Sequence, residues 1–477
     1  MNIVFLVIDT LRYDCCGCHG NTGIRTPNID RLAERAMVFD RSFTCSYPTI
    51  PHRTDVITGT CGAPFHPWLP LKHNEPTFLD GLKDAGYATQ LIHDTPHMVN
   101  GGHNFDWPFH AWTFIRGGEV DRPWIDDSSE WPENWGTDPV FDFVEEDPFE
   151  NRVIVTYSRA NRKRVKEEDW NAAQLFSTAS AFLRDNASRD NFFLWIDCFD
   201  PHEPWDAPAD IVKTYDTDPD FNGKLDPRSI IVRRDMPEPA ARRIQNFFKA
   251  KVTLVDKWLG RFLDTLEETG LDRNTALILT ADHGTNLYEY GFFSKSYPIT
   301  ESEGHTPFIV AVPEGAAGRS DMIVQPMDVY AVIAGLAGID VPEDAESFDC
   351  YSRVAEGKTG ERRVALSGRR ASGFPEHPLL FTVFDREWCL QWAFDTADCT
   401  LRRLGSTEEV SSEHPDTVEE LHTAGLAELR KRGMDPEIEA WLDTQGSIPF
   451  PENPKVSDTW PGPDGYRAYF ERLYLGK

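Results

Sequence analysis

Apolar runs and amphipathic segments alternate along the first three quarters of the chain. Short apolar runs are typical of buried strands, and segments whose apolar residues recur every three or four positions are typical of helices. The strands are predicted at 2–8, 87–92, 191–198, 276–280 and 307–312, and the helices at 28–35, 76–85, 168–184, 238–268 and 326–337. This alternation predicts an α/β fold with a mainly parallel sheet sandwiched by helices.

Two regions depart from the alternation. Residues 99–165 are interpreted as an insertion that either covers a pocket or packs against the sheet, and it is rich in tryptophan: Trp107, Trp112, Trp124, Trp131 and Trp135. From about residue 346, short strand patterns precede a helical pattern at 416–432. The predicted organisation is a catalytic domain over 1–345 and a smaller C-terminal antiparallel α+β subdomain over 346–477.

Side chains that can bind a metal stand at the ends of two predicted strands. Asp9 follows the first strand directly, and Asp282 and His283 follow strand 276–280. Ligands bind at the carboxyl ends of strands in open parallel sheets, so these ends are expected to form a site. Taken alone, Asp9 is better explained as a helix cap or loop residue, whereas Asp282 with His283 is equally well explained as a turn with a capping Asp.

A third candidate segment runs from Thr49 to Gly59. Pro51 suits the first turn of a helix, whose free amides would face an anion. Thr49 would then lie at the mouth of the site, with Arg53 one turn further along. The alternative is an ordinary capped helix.

Charge and length restrict the function. The 477 residues have a net charge of −30, which argues against binding to nucleic acid or to acidic membrane surfaces. No run of 18 apolar residues indicates a membrane span. An anionic substrate would therefore need a locally positive pocket, which a metal and a few basic residues could supply.

The N-terminus and the cysteines predict a cytoplasmic protein. The apolar run from Ile3 to Ile8 ends in Asp9 and lacks the features of a signal peptide. The nine cysteines form no framework and are expected to be reduced. The cluster of Cys15, Cys16 and Cys18 lacks a partner pair at zinc-site spacing, so a structural role is favoured.

Ordered sequence blocks along nearly the whole chain carry a family resemblance. They are Ile3–Asp14, Gly17–Gly20, Arg25–Leu32, Thr49–Gly59, Gly86–Thr89, Asp200–Pro204, Glu268–Leu271, Asn274–Gly284 and Glu301–Val312. Together they resemble the sulfatase family of the alkaline phosphatase superfamily. The resemblance implies that family's fold and a metal-dependent hydrolase of anionic esters.

The resemblance also implies roles for individual residues. Asp9, Asp282 and His283, with the Thr49 oxygen, would bind one divalent metal, and Thr49 would be the nucleophile. Arg53 would orient the nucleophile loop, Lys295 would stabilise negative charge on the substrate, and His202 would contact a substrate or leaving-group oxygen.

This chain departs from the sulfatase pattern at three positions. Sulfatases have Cys or Ser, which becomes formylglycine, where this chain has Thr49. Where sulfatases have two successive acids after the first strand, this chain has Asp9 and Thr10. Where they have Asp-Asn after the later strand, it has Asp282 and His283. An imidazole ligand favours Mn, Zn or Fe over Ca or Mg. The resulting pattern resembles the phosphonate monoester hydrolase and phosphodiesterase branch.

Substrate contacts are less well defined. Thr10 is predicted to bind substrate, and Thr95 and His97 are alternatives for another contact near the end of strand 87–92. His305 is a weaker candidate.

Three functions follow from these features. The leading hypothesis is cleavage of a phosphodiester or phosphonate monoester through Thr49. The second is sulfatase activity without formylglycine, and the third is an inactive binder that retained the fold. The expected partner is a small anionic ester, with no nucleic acid and no membrane, and a homo-oligomer is left open.

Overall fold

The computed structural model describes residues 1–432 except 63–67, 100–102, 124, 126–129, 297, 344, 359, 361, 370–379 and 394–395. Trp124 and positions 433–477 of the predicted subdomain therefore lie outside the described residues. The strands are β1 Asn2–Ile8, β2 Met37–Ser42, β3 Ala88–His93, β4 Ala111–Phe114, β5 Phe192–Cys198, β6 Thr275–Thr280, β7 Asn286–Leu287, β8 Phe293–Ser294, β9 Phe308–Ala311, β10 Gly318–Val324, β11 Ala365–Arg369, β12 Leu380–Phe384, β13 Trp388–Trp392 and β14 Thr400–Arg403.

The helices occupy most of the predicted positions. They are α1 Pro27–Ala33, α2 Thr49–Thr58, α3 Phe78–Asp84, α4 Arg152–Asn161, α5 Asn171–Asp185, α6 Ala209–Val212, α7 Arg228–Ile231, α8 Glu238–Glu268, α9 Glu301–Gly304, α10 Asp328–Ala337, α11 Cys350–Ala355 and α12 Pro415–Lys431. Helix α8 has the predicted bounds. Among the described residues, no helix combines the length and the apolar character needed to cross a membrane.

An eight-stranded sheet forms the centre of the fold, in the order β10-β2-β9-β6-β1-β5-β3-β4. Strand β9 pairs antiparallel with β2 and β6, and the other pairings are parallel. The prediction of a mainly parallel sheet is confirmed. The reversed direction of β9 was not foreseen, because an apolar run does not reveal which way its strand points.

Both faces of this sheet are covered by helices. In β1, Val4, Leu6 and Ile8 pack with α1, α5 and α8, and the residues between them pack with α2, α3 and α10 on the opposite face. Successive side chains of a strand point to opposite faces, so a strand that is apolar throughout must lie between two layers. The predicted sandwich of helices around the sheet is confirmed.

The C-terminal region forms a second sheet, as predicted. Its order is β11-β12-β13-β14 with antiparallel pairing, and α12 packs on it through Val418 and Leu421. This sheet contacts the segment that leads to Thr49, because Tyr47 N donates to Gly368 O at 3.0 Å and Gly368 N donates to Cys45 O at 2.9 Å. The second sheet thus holds the segment that immediately precedes Thr49.

The Trp-rich insertion is only partly separate from the main fold. It contributes β4, which extends the sheet edge by pairing parallel with β3. Trp135 is buried in the core, whereas Trp107 and Trp112 are 63% and 47% exposed. Packing against the main fold is therefore observed for part of the insertion.

The prediction that all cysteines are reduced is wrong for one pair. Cys45 and Cys61 form a disulfide, and the other seven cysteines are free. The two bonded residues flank α2 in the chain, and their proximity arises from the loop that carries this helix. Cysteine spacing alone did not reveal it. The Cys15, Cys16 and Cys18 cluster is not among the metal-competent groups of the described residues.

A buried aspartate of α8 fixes the start of α1. Asp256 is 1% exposed and accepts hydrogen bonds from Asn28 N at 3.1 Å and from Ile29 N at 2.8 Å. The first amides of a helix have no acceptor within the helix, so Asp256 supplies one from another part of the chain.

We expect Asp256→Ala to lower the free energy of unfolding by about 1–3 kcal/mol, because it leaves buried amides without an acceptor. Urea denaturation measures the loss. The matched control is Asp264→Ala on the same helix, whose side chain is 55% exposed in an ion pair with Arg31. The control should change stability by less than about 0.5 kcal/mol, and equal losses for both variants would contradict the capping role.

Candidate active site

Three aspartates meet at the carboxyl edge of the central strands. Asp9 follows β1, Asp197 lies near the end of β5, and Asp282 lies two residues beyond β6. Strand β1 pairs in parallel with both β5 and β6, so the ends of the three strands lie side by side. All three side chains are buried. The sequence predicted this edge as the site from Asp9 and Asp282.

Arg53 connects the three aspartates. Its Nη2 lies 3.1 Å from Asp9 Oδ2, its Nη1 lies 2.7 Å from Asp282 Oδ2, and its Nε lies 2.9 Å from Asp197 Oδ2. Nη2 also donates to Asp197 Oδ1 at 2.7 Å. The arginine is 0% exposed. A planar guanidinium presents several donors in a fixed geometry, so one side chain can hold three carboxyl groups in register.

The positive charge of Arg53 does not balance three carboxyl groups. Burial and the neighbouring Asp282 raise the pKa of Asp9 well above its usual range. Burial opposes ionisation of Asp282, but the neighbouring His283 and Arg53 outweigh it and hold the pKa of Asp282 well below its usual range. The cluster thus retains excess negative charge, which favours the binding of a cation.

Asp9, Asp282 and His283 have the donor atoms of a metal site. One ligand atom of each lies within 4.8 Å of the others. Asp9 Oδ1 and His283 Nε2 are buried without a hydrogen-bond partner among the described residues. His283 Nδ1 donates to Gly284 O at 2.7 Å, so the lone pair stays on Nε2. Burying such lone pairs unpaired is unfavourable, and a divalent ion would satisfy them.

Thr49 is the first residue of α2 and is only 2% exposed. The helix begins two residues before the predicted Pro51. Arg53 follows one turn later, and its Nη1 donates to Thr49 O at 3.0 Å as well as to Asp282. Arg53 thereby couples the start of α2 to the aspartate cluster. This contact supports the predicted role of Arg53 in orienting the nucleophile loop.

A disulfide and hydrogen bonds join the two ends of the loop that carries α2. The disulfide joins Cys45 to Cys61. Next to it, Asp55 accepts hydrogen bonds from Ser46 N at 2.8 Å and from Gly62 N at 2.9 Å. Helix α2 is therefore held at both ends of its loop and, through Arg53, at its centre.

His202, predicted to contact a substrate or leaving-group oxygen, and Lys295, predicted to stabilise negative charge, form a hydrogen-bonded pair. Lys295 Nζ lies 2.9 Å from His202 Nε2 and 3.2 Å from Glu203 Oε1. His202 Nδ1 donates to Glu203 O at 2.7 Å, so Nε2 is the acceptor. Burial raises the pKa of Asp9 and lowers that of His283, and the charge of Lys295 lowers both. Lys295 and His202 therefore belong to the same site as these two residues.

The predicted substrate contacts occupy different places in the site. Thr95 Oγ1 donates to Asp197 and so joins the Arg53 network. His97 packs against Phe199 at 5.7 Å between ring centroids, and Phe199 stacks on His202 at 4.3 Å. Both alternatives thus lie near the site.

Thr10 has an unusual backbone. Its φ is 59°, which is rare for a β-branched residue, and its amide donates to Asp282 Oδ1 at 3.1 Å. The Thr10 hydroxyl is buried without a hydrogen-bond partner among the described residues. The turn after β1 is therefore shaped by the contact of its amide with Asp282.

His305 packs elsewhere. Its ring stacks on Tyr13 at 3.8 Å, and its Nε2 lies 3.1 Å from Asp40 O. These contacts give His305 a packing role, consistent with its being the weakest candidate in the sequence.

Sequence reasoning missed several residues of the site. Asp197 is an acid inside an otherwise apolar strand, a signal that could have found it. Glu203 stands within the recognised block next to His202, and Glu119 comes from the insertion, where nothing in the sequence marks it. His52 neighbours Arg53, and both its ring nitrogens are buried without a partner among the described residues.

The comparisons with known proteins agree with this geometry. The sequence model of the sulfatase family matches residues 1–339. The chain belongs to the sulfatase family. Proteins of this family are hydrolases and generally bind a divalent metal.

Several relatives and solved structures are similar to this sulfatase-family chain. An arylsulfatase from Clostridium perfringens is 25% identical over 415 residues, covering 81% of this chain and 84% of that protein. The human iduronate 2-sulfatase is 26% identical over 400 residues, covering 72% and 70%. A phosphonate monoester hydrolase from Silicibacter pomeroyi superposes with a TM-score of 0.67 at 20% identity, covering 91% and 96%, which shows the fold.

We expect Arg53→Met to destabilise the metal-free protein by about 3–5 kcal/mol, because it leaves buried carboxylates uncompensated. Urea denaturation measures the change, and added divalent ions should restore part of it. The control is Arg35→Met, an arginine that is 45% exposed in a 3.5 Å ion pair with Glu267. Equal stability of the two variants would show that Arg53 does not hold the cluster together.

Proposed function

We propose that this sulfatase-family chain hydrolyses a phosphodiester or phosphonate monoester through Thr49 as the nucleophile. The observation that carries the proposal is the link made by Arg53, which joins the start of α2 to Asp9 and Asp282. Arg53 Nη1 contacts both the Thr49 carbonyl and Asp282, so the backbone of Thr49 lies near a residue that fits a metal.

The chemistry of threonine favours phosphorus over sulfur. Formylglycine is made from Cys or Ser, and the secondary hydroxyl of Thr49 does not fit that route. An alkoxide at Thr49 can still attack phosphorus and form a covalent ester, which water then hydrolyses. A sulfated threonine lacks the elimination step by which formylglycine releases sulfate.

Asp9, Asp282 and His283 would hold a divalent ion, together with the Thr49 oxygen. Such an ion supplies Lewis acidity, which lowers the pKa of a bound hydroxyl. The imidazole in this donor set favours Mn, Zn or Fe over Ca or Mg. Arg53 would orient the loop, and Lys295 would stabilise negative charge that develops on the substrate.

His202 would hold the oxygen of the leaving group. Thr10, Thr95 and His97 would line the site around the substrate. The substrate itself would be a small anionic ester, since basic groups lie in the site while the chain as a whole is strongly acidic, with a net charge of −30. The cytoplasmic location stays a prediction, and the Cys45–Cys61 disulfide weighs against a reducing compartment.

A second candidate is a sulfatase that works without formylglycine. It is favoured by the sequence relatives, which are named arylsulfatase and iduronate 2-sulfatase. Phosphonate monoester hydrolases and sulfatases are both among the similar structures, and these structures show the fold. An inactive binder remains the third hypothesis.

Side-by-side kinetics on nitrophenyl esters separate these candidates. We expect the phosphodiester or the phosphonate monoester to have a higher kcat/KM than the phosphate monoester and the sulfate, and chelation to abolish turnover. Thr49→Ala should lower kcat by at least about 10³-fold, because the covalent route is lost.

The matched control is Thr54→Ala on the same helix, where the hydroxyl donates to Ile50 O at 3.1 Å. This control should keep activity within about threefold, as expected for a small change away from the reacting groups. Faster turnover of the sulfate would overturn the first candidate in favour of the second. Absence of turnover on the whole panel with added Mn, Zn or Fe would favour the inactive binder.

A further inference from the structure

The two nitrogens of His202 face opposite charges. Nε2 accepts from the ammonium of Lys295 at 2.9 Å. On the other side, Nδ1 donates to Glu203 O and lies 3.6 Å from Glu203 Oε2 and 3.7 Å from Glu119 Oε2. A single imidazole thus lies between a cation and two carboxyl groups.

Glu119 reaches this position on a tightly built turn of the insertion. Arg116 and the amide of Gly117 both bind Asp121, with Gly117 N at 2.8 Å from Asp121 Oδ2. The turn packs so closely on Pro96 that a Cβ at Gly118 would lie 2.5 Å from that ring. This packing fixes the turn that carries Glu119 against the residue before His97.

Of the two carboxyl groups beside His202, Glu203 is buried and Glu119 is partly buried. Glu203 Oε2 is buried without a hydrogen-bond partner among the described residues. The Glu119 side chain is 19% exposed, and burial, followed by the charge of Glu203, raises the pKa of Glu119 to about 7. The positive charges of Lys295, Arg233 and Lys251 lower the pKa of Glu119 and so partly oppose this rise.

The bond from Nδ1 to the Glu203 carbonyl fixes the direction of Nε2, and a carboxyl group on the Nδ1 side stabilises the imidazolium by its charge. An imidazolium so stabilised can give the Nε2 proton to an oxygen that would otherwise leave as an alkoxide, so that the group leaves as an alcohol. Such general acid catalysis contributes about 10²–10⁴-fold to the rate when the leaving group is poor.

We propose that Glu119 is a positioning residue that acts through His202 and adapts the site to esters with poor, weakly acidic leaving groups. The inference rests on the proposed function. Nε2, which accepts from the Lys295 ammonium in the structure, first takes a proton from that ammonium. The bond from phosphorus to the leaving oxygen then breaks with its electron pair going to that oxygen, which takes this proton from Nε2. The water that later hydrolyses the Thr49 ester gives up a proton, which restores the Lys295 ammonium.

The test compares phenyl and 4-nitrophenyl esters of the same phosphonate or phosphodiester. Nitrophenolate leaves readily without a proton, whereas phenolate depends on one. We expect Glu119→Gln to lower kcat/KM for the phenyl ester by about 10- to 100-fold. The loss on the phenyl ester should exceed the loss on the nitrophenyl ester at least about tenfold, and Glu119→Asp should recover part of it.

A double-mutant cycle shows whether Glu119 acts through His202. In a His202→Ala background, Glu119→Gln should have less than about a threefold further effect on the phenyl ester, because the group it serves is gone. Glu145→Gln, at an exposed glutamate of the same insertion, is the control and should leave both esters unaffected.

Equal losses of Glu119→Gln on both esters would overturn the inference, since a purely structural defect does not distinguish leaving groups. Full additivity with His202→Ala would overturn it as well. In both cases the wild-type enzyme still cleaves phosphorus esters, so the proposed function stands. If the wild-type enzyme cleaves neither ester, the proposed function itself fails.

Discussion

Arg53 binds three buried carboxyl groups that lie at the ends of three different strands, and it offsets part of their charge. Removing a guanidinium from water is costly, and only good geometry with several charge-assisted hydrogen bonds offsets that cost. Here Nε and both terminal nitrogens are used, on Asp9, Asp197, Asp282 and the carbonyl of Thr49. The same contacts fix where α2 begins relative to the sheet.

The remaining features of the site depend on this arrangement. With one positive charge for three carboxyl groups, the cluster keeps negative charge that favours a divalent ion, and His283 Nε2 has no hydrogen-bond partner among the described residues. The loop that carries α2 is also restrained by its contacts with the second sheet, by the disulfide and by Asp55. Under the proposed function, Lys295 and a bound divalent ion would offset the overall negative charge locally and let an anionic ester bind.

Much of the fold could be predicted from the sequence because it depends on local patterns. The apolar run of β1 and the long amphipathic α8 have unambiguous periods, and acids at strand ends are visible without tertiary information. The reversed β9, the β4 extension and the Cys45–Cys61 pair depend on which segments meet in space. Glu119 was missed for the same reason, since only the packing of its turn brings it to His202.

Thr49 is the residue on which the choice of chemistry depends. Family membership and the residues around Arg53 fit hydrolysis of either sulfate or phosphorus esters, and the secondary hydroxyl favours phosphorus. The stereochemical course at phosphorus tests the role of Thr49 most directly. The substrate is an ester whose phosphorus is made chiral by replacing one oxygen with sulfur and labelling others with oxygen isotopes. Attack by Thr49 and then by water inverts the centre twice and predicts overall retention. Overall inversion would mean that water attacks directly, and would contradict Thr49 as the nucleophile.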